Sequence, residues 1–151
     1  MKYNRIIFLD EENTALSPLA EKMLKKKLNK DNMFGINVLS RGNVVLFPEP
    51  VNQKLVELGH KFGLVLSDHT AEQMTPEDFE EGTLVLALDI NSKVKAYSKY
   101  RGAANVYTLR EFIGEQGDIK LQFGKSIEEY KDTCLLLDRS IELLKEKLKT
   151  M

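Results

Sequence analysis

The stretch Thr83-Leu84-Val85-Leu86-Ala87-Leu88-Asp89 constrains the fold of this chain more than any other. Its five central residues are all apolar, with none of the polar alternation that a half-solvated strand shows. A strand of that kind is buried on both faces, and the usual place for one is the middle of a parallel sheet covered by helices. Three further short runs read as strands: 3–9 (YNRIIFL), 35–39 (GINVL) and 104–109 (ANVYTL). Between them the spacing turns helical. Leu16, Ala20, Met23, Leu24 and Leu28 share one face of a helix entered at Ser17-Pro18, with lysines opposite. Residues 51–59 form a short helix that Gly59 can end, and Thr75 with Asp78 makes a capping box for another. A helix follows at 91–100. The longest runs over 126–149, with Ile127, Tyr130, Cys134, Leu137, Ile141, Leu144 and Leu148 on its apolar stripe. Strands alternating with helices predict one α/β domain over residues 1–151. The expected architecture is a three-layer sandwich, a four-stranded parallel sheet with helices on both faces.

Composition narrows the functional classes. The 151 residues are 42% hydrophobic and 30% charged, an ordinary balance for a single globular core. A net charge of −1 gives no electrostatic reason to expect nucleic acid or an anionic membrane as partner. No apolar run approaches the ~20 residues of a membrane span, and Met-Lys-Tyr-Asn-Arg enters the first strand without a signal peptide's apolar region. A cytoplasmic location is expected, as a monomer or weak homodimer. Cys134 is the only cysteine, which excludes an internal disulfide and a thiolate metal cluster. On its helical stripe it reads as an inert buried thiol.

In open α/β sheets, ligands bind at the carboxyl ends of strands, near the point where strand order reverses. The stretch FLDEENTALSPLAEKML, residues 8–24, lies there. Strand, loop and helix follow one another in the layout that holds a phosphate at a helix N-terminus. The loop nevertheless carries Asp10, Glu11 and Glu12, three negative charges where an anion would sit. Two unit charges ~5 Å apart repel by about 3 kcal/mol at an effective dielectric of ~20. Three readings of the acids are open. Asp10 can itself occupy the amide nest, which would stabilise the loop and depress its pKa. Asp10, Glu11 and Glu12, with Asp89 near, can bind magnesium or calcium, with Asp10 and Glu12 as the foremost ligands. The acids can also be a plain solvated surface.

The same residues carry a resemblance. Asp10-Glu11-Glu12-Asn13-Thr14-Ala15-Leu16-Ser17-Pro18-Leu19-Ala20-Glu21 is similar to the phosphate loop C-x-x-N-x-x-R-S-P-x-A-E of the low-molecular-weight protein tyrosine phosphatase family. Leu39-Ser40-Arg41-Gly42 resembles the family's Ser-Ala-Gly segment. Residues 57–77 (ELGHKFGLVLSDHTAEQMTPE) resemble its L-x-x-x-G-…-S-x-H-x-A-x-Q-x-T stretch, and LVLALD its third strand with the terminal acid Asp89. Leu121-Gln122-Phe123-Gly124 lies where the family carries Asp-Pro-aromatic-Gly.

The resemblance implies a retained scaffold with altered chemistry. Asn13, Ser17, Ser40 and His69 match residues that hold the family's loop in shape, although a turn conformation would explain Asn13 and an N-cap Ser17. Asp10 stands at the position of the nucleophilic cysteine, Leu16 at that of the phosphate-clamping arginine, and Leu121 at that of the general acid. Phosphate-ester hydrolysis on this plan needs a thiolate, bidentate donors to the phosphoryl oxygens and an acid for the leaving group. Losing one electrostatic donor costs about 10² to 10³ in rate, and losing the acid roughly 10² to 10⁴. The expectation is a pseudoenzyme without cofactor that acts by binding a protein partner. The vestigial site would comprise Glu11, Glu12, Thr14, Arg41 and Asp89, with Arg41 pairing Glu12 or Asp10.

An enzymatic alternative uses Asp10 as a nucleophile with a metal ion. FLDEENTAL also resembles the D-x-D-x-T motif of haloacid dehalogenase-like phosphatases, with Asp10, Glu12 and Thr14 in register. A glutamate stands at the second acid, and no later lysine with an acidic pair is evident. Val44–Pro50 (VVLFPEP) reads either as core or as a partner-binding patch, and His60 as exposed. Tyr97, Tyr100 and Tyr107 are open between phosphorylation sites and packing residues.

Overall fold

The structure is a computed structural model that describes residues 2–122 and 124–151; Met1 lies outside the described residues, as does Phe123 of the 121–124 segment. Four parallel strands form one sheet: β1 (Arg5–Asp10), β2 (Asn37–Gly42), β3 (Thr83–Ala87) and β4 (Val106–Thr108), in the order β2-β1-β3-β4. All five residues of β3 are buried, as its unbroken apolar run requires. Successive side chains on a strand face opposite ways, so the central strands feed two cores. Ile6, Phe8, Leu84 and Leu86 pack with α1 (Leu16–Lys30), α2 (Gln53–Lys61), α4 (Leu109–Phe112) and α5 (Ile127–Lys149). Ile7, Leu9, Val85 and Ala87 pack on the other side against α3 (Ile90–Lys99) and against Met74 and Phe79.

The differences from sequence-based expectation are shifted element boundaries, one expected helix that is only a 3-10 turn, and one additional short helix. β2 spans 37–42 rather than 35–39, because pairing with β1 from Arg5↔Asn37 to Asp10↔Gly42 defines it. Backbone pairing is indifferent to the polarity of Ser40 and Arg41. The capping box at Thr75 and Asp78 is present, yet it opens only a 3-10 turn, Pro76–Phe79. Glu80 is already extended and Gly82 turns at φ 83° into β3. The fourth strand ends at Thr108, whose own capping box with Glu111 starts the unanticipated α4.

From β1 the chain moves to one edge of the sheet through α1, and from β3 to the other edge through α3. The reversal point therefore lies between the carboxyl ends of β1 and β3. Among the described residues, no helix is long and apolar enough to cross a membrane.

Candidate functional site

An open cleft of about 300 Å³ occupies the reversal point. Residues 10–16 after β1, Leu88 and Asp89 after β3, and Ile119–Leu121 line it. Its shape comes from the loop between β1 and α1. Helix α1 begins after Ala15, which has no side-chain acceptor for the free N–H groups of the first turn. Asp10 supplies it. Its Oδ1 accepts the Asn13 N–H at 2.8 Å and its Oδ2 accepts the Ser17 N–H at 3.0 Å. An anion at a helix N-terminus is what the helix dipole favours, and here the anion is part of the chain. Ser17 lies within the first turn, so it is not the N-cap.

Asn13 organises the rest. It is fully buried at φ 59°, a left-handed conformation that asparagine tolerates better than most residues. Its Nδ2 donates to Ser17 Oγ at 2.9 Å, its Oδ1 accepts the Glu72 N–H at 2.9 Å, and its carbonyl oxygen lies 2.9 Å from His69 Nε2. Asn13, Ser17 and His69 thus form one network around the loop. Ser40 acts one helical turn further in, donating to Glu21 Oε1 at 2.7 Å. Gly42 lets the end of β2 lie against the loop, since a Cβ there would stand 2.9 Å from the Glu12 carbonyl carbon and 3.0 Å from the Asn13 nitrogen. The adjoining Asn43 and Val44 N–H groups donate to the Asp10 and Glu11 carbonyls at 3.0 and 2.8 Å.

Loss of surrounding water pushes the Asp10 carboxyl up to about 6; hydrogen bonds from Ser17 and Asn13 pull it down, and the Asp89 charge adds a further upward push. The expectation of a depressed pKa is reversed, because enclosure outweighs the nest. Asp89 lines the cleft but also caps α3, accepting the Ser92 N–H at 2.7 Å. Glu11 turns to Lys95 at 2.6 Å, and Glu12 is exposed at the cleft mouth. Among the described residues, no three His, Cys, Asp or Glu side chains gather closely enough to hold a metal ion, so the cation reading of Asp10, Glu11, Glu12 and Asp89 finds no converged cluster. Arg41 pairs with neither Asp10 nor Glu12. It bonds Ser40 O at 2.8 Å and lies 3.3 Å from Glu72 and 3.4 Å from Asp78, on the side where the 72–78 segment packs.

Leu16, Leu88, Ile119 and Leu121 make the walls apolar, and Lys120 is the one cationic side chain among the described lining residues. Thr14 lines the same cleft, and its carbonyl accepts the Asn52 N–H at 2.8 Å. Cys134 is buried on the apolar stripe of α5, and burial pushes its thiol up to about 11. His60 is exposed, and Tyr97 and Tyr107 retain solvent contact while Tyr100 is buried.

Sequence reasoning did not single out Gln73. Its Oε1 accepts the Val45 N–H at 2.8 Å, and its Nε2 donates to the Asn43 carbonyl at 2.8 Å and to Tyr100 Oη at 2.8 Å. Lys99 reaches the same carbonyl. The only signal for Gln73 was its place in the quoted 57–77 stretch.

Residues 5–151 match the family described as low molecular weight phosphotyrosine protein phosphatase. The chain belongs to this family. It is 32% identical over 151 residues to a protein-arginine-phosphatase of Bacillus subtilis, covering 95% of this chain and 96% of that one. It is 29% identical over 143 residues to the low molecular weight protein-tyrosine-phosphatase PtpB of Staphylococcus epidermidis, covering 95% and 98%. The solved low molecular weight phosphatase from T. tengcongensis superposes with a TM-score of 0.87 at 32% identity, over 95% of this chain and 98% of the other. The four-stranded parallel sheet and its flanking helices are thus the phosphatase fold, and the cleft lies at the end of its first strand.

Proposed function

We propose that this chain is a pseudophosphatase, a member of the phosphatase family that does not hydrolyse phosphate esters and acts by binding a protein partner. The observation that carries this reading is the Asp10 carboxylate seated on the N–H groups of Asn13 and Ser17. A phosphoryl group would need those donors, and it would have to displace a like charge to reach them. By resemblance, Asp10, Leu16 and Leu121 stand at the cysteine, arginine and general-acid positions of the family. The side chains of Leu16 and Leu121 offer the cleft apolar surface and no proton or positive charge. Membership of a phosphatase fold does not by itself supply the activity, which resides in the site.

The test is hydrolysis of an aryl phosphate and of a phosphoarginine peptide, each with and without magnesium, by wild type and by Asp10→Ala. No turnover above background in any arm is expected. Turnover that requires both Asp10 and magnesium would replace this reading with a carboxylate nucleophile. Turnover that survives Asp10→Ala would move the chemistry elsewhere in the chain.

A further inference from the structure

A second, smaller hollow adjoins the cleft, lined by Glu12, Thr14, Val44, Val45, Leu46, Phe47 and Glu49. It shares Glu12 and Thr14 with the first, so the two hollows lie side by side at the mouth of the site and are together termed the groove. Leu46 and Phe47 stand out into solvent at 81% and 68% exposure, which places Val44–Pro50 on the surface rather than in the core. Two neighbouring large apolar side chains at that exposure form a surface patch of the kind that marks a contact site. The charges say what kind of group can lie beside them. Among the described residues, Glu12 and Glu49 are exposed and neither belongs to an ion pair, whereas Glu11 is neutralised by Lys95. Asp10 and Asp89 add negative charge inside the cleft, and Lys120 at its rim is already near Asp118 at 3.8 Å.

We infer that this groove is a docking site for a protein segment carrying an arginine beside an apolar residue, with the guanidinium in the apolar-walled cleft and its neighbour against Leu46 and Phe47. A guanidinium suits such a cleft because it is planar, weakly hydrated and forms paired hydrogen bonds with carboxylates. Its aliphatic stem covers walls such as those of Leu16, Leu88 and Ile119. A phosphate dianion meets the same acids as repulsion. The polarity of the pocket is therefore the reverse of what a phosphate-ester substrate needs. This inference rests on the pseudophosphatase reading for the identity of the ligand as a partner rather than a substrate.

The experiment is fluorescence anisotropy with a labelled ten-residue peptide containing Leu-Phe-Arg, against the same peptide with citrulline or with phosphotyrosine at the arginine position. The arginine peptide is expected to bind at least about tenfold more tightly than either analogue, and more weakly as salt is raised. Glu12→Lys and Phe47→Ser alter exposed side chains, and each is expected to weaken it about tenfold or more. Affinity should also rise as pH is raised from 5 to 7, because Asp10 ionises across that range. Equal binding of the citrulline peptide, tighter binding of the phosphotyrosine peptide, or no binding of the arginine peptide would each overturn the inference. Hydrolysis of the phosphotyrosine peptide in the same samples would instead overturn the pseudophosphatase reading, so the two failures are separable.

Discussion

Asp10 decides the character of the loop, and its ionisation has a measurable consequence. Its pKa of about 6 in the folded protein exceeds the ~3.9 of an unfolded aspartate. Between those values the folded state holds a proton that the unfolded state has released. The stability this proton supplies is complete below pH ~4 and is lost as pH rises through about 6. The two-unit difference corresponds to about 3 kcal/mol over the full range. Unfolding free energy measured against pH should show wild type losing up to that amount relative to Asp10→Asn between pH 4 and 7.5. A flat or rising difference would mean that the carboxylate is ionised in its nest throughout. Asn13 and Ser17 were legible as loop supports through the resemblance, and they bond each other four residues apart, but the bonds of Asn13 to Glu72 and His69 come from distant segments. The Asp10 pKa was not legible, since it depends on how completely the surrounding segments exclude water.

At the scale of elements, the loop is a joint between strand ends rather than an independent turn. β1 and β2 run side by side to Asp10 and Gly42, and the chain beyond Gly42 donates to the carbonyls of Asp10 and Glu11. Gly42 makes this approach possible. In Gly42→Ala the new methyl group meets backbone atoms of Glu12 and Asn13, which cannot swing aside as a flexible side-chain end would. A loss of about 1–3 kcal/mol is expected in urea unfolding, with faster amide exchange at Asn13 and Ser17, whose N–H groups face Asp10. Unchanged exchange there would show that the β2 end does not hold the loop. The boundaries of β2 and of the 3-10 turn at Pro76 escaped sequence reading for the same reason: register with β1 and the short path into β3 set them. Hydrophobic periodicity located the strands and the longer helices, but neither their ends nor the four-residue α4.

Across the whole molecule, the central pair β1 and β3 separates two apolar cores and presents its carboxyl ends to the cleft. Leu86 is fully buried in β3, beside Phe8 in the sheet register. Leu86→Ala is expected to cost about 2–5 kcal/mol, and the whole chain should unfold in one transition by far-ultraviolet and aromatic signals alike. A cost under 1 kcal/mol, or separated transitions, would mean that the two layers do not share a cooperative core. The residue pattern alone determined the alternating elements, the parallel sheet and the position of the loop at the reversal point. Those features rest on periodicity and on spacing along the chain, which a sequence displays directly. Tertiary structure alone decided that Arg41 turns to Glu72 and Asp78, that Ser40 holds Glu21, that Leu46 and Phe47 face solvent, and that Asp10 is enclosed enough to raise its pKa. Each of these depends on which distant segments meet at one point, and a side chain's charge partner and hydration are set by that meeting.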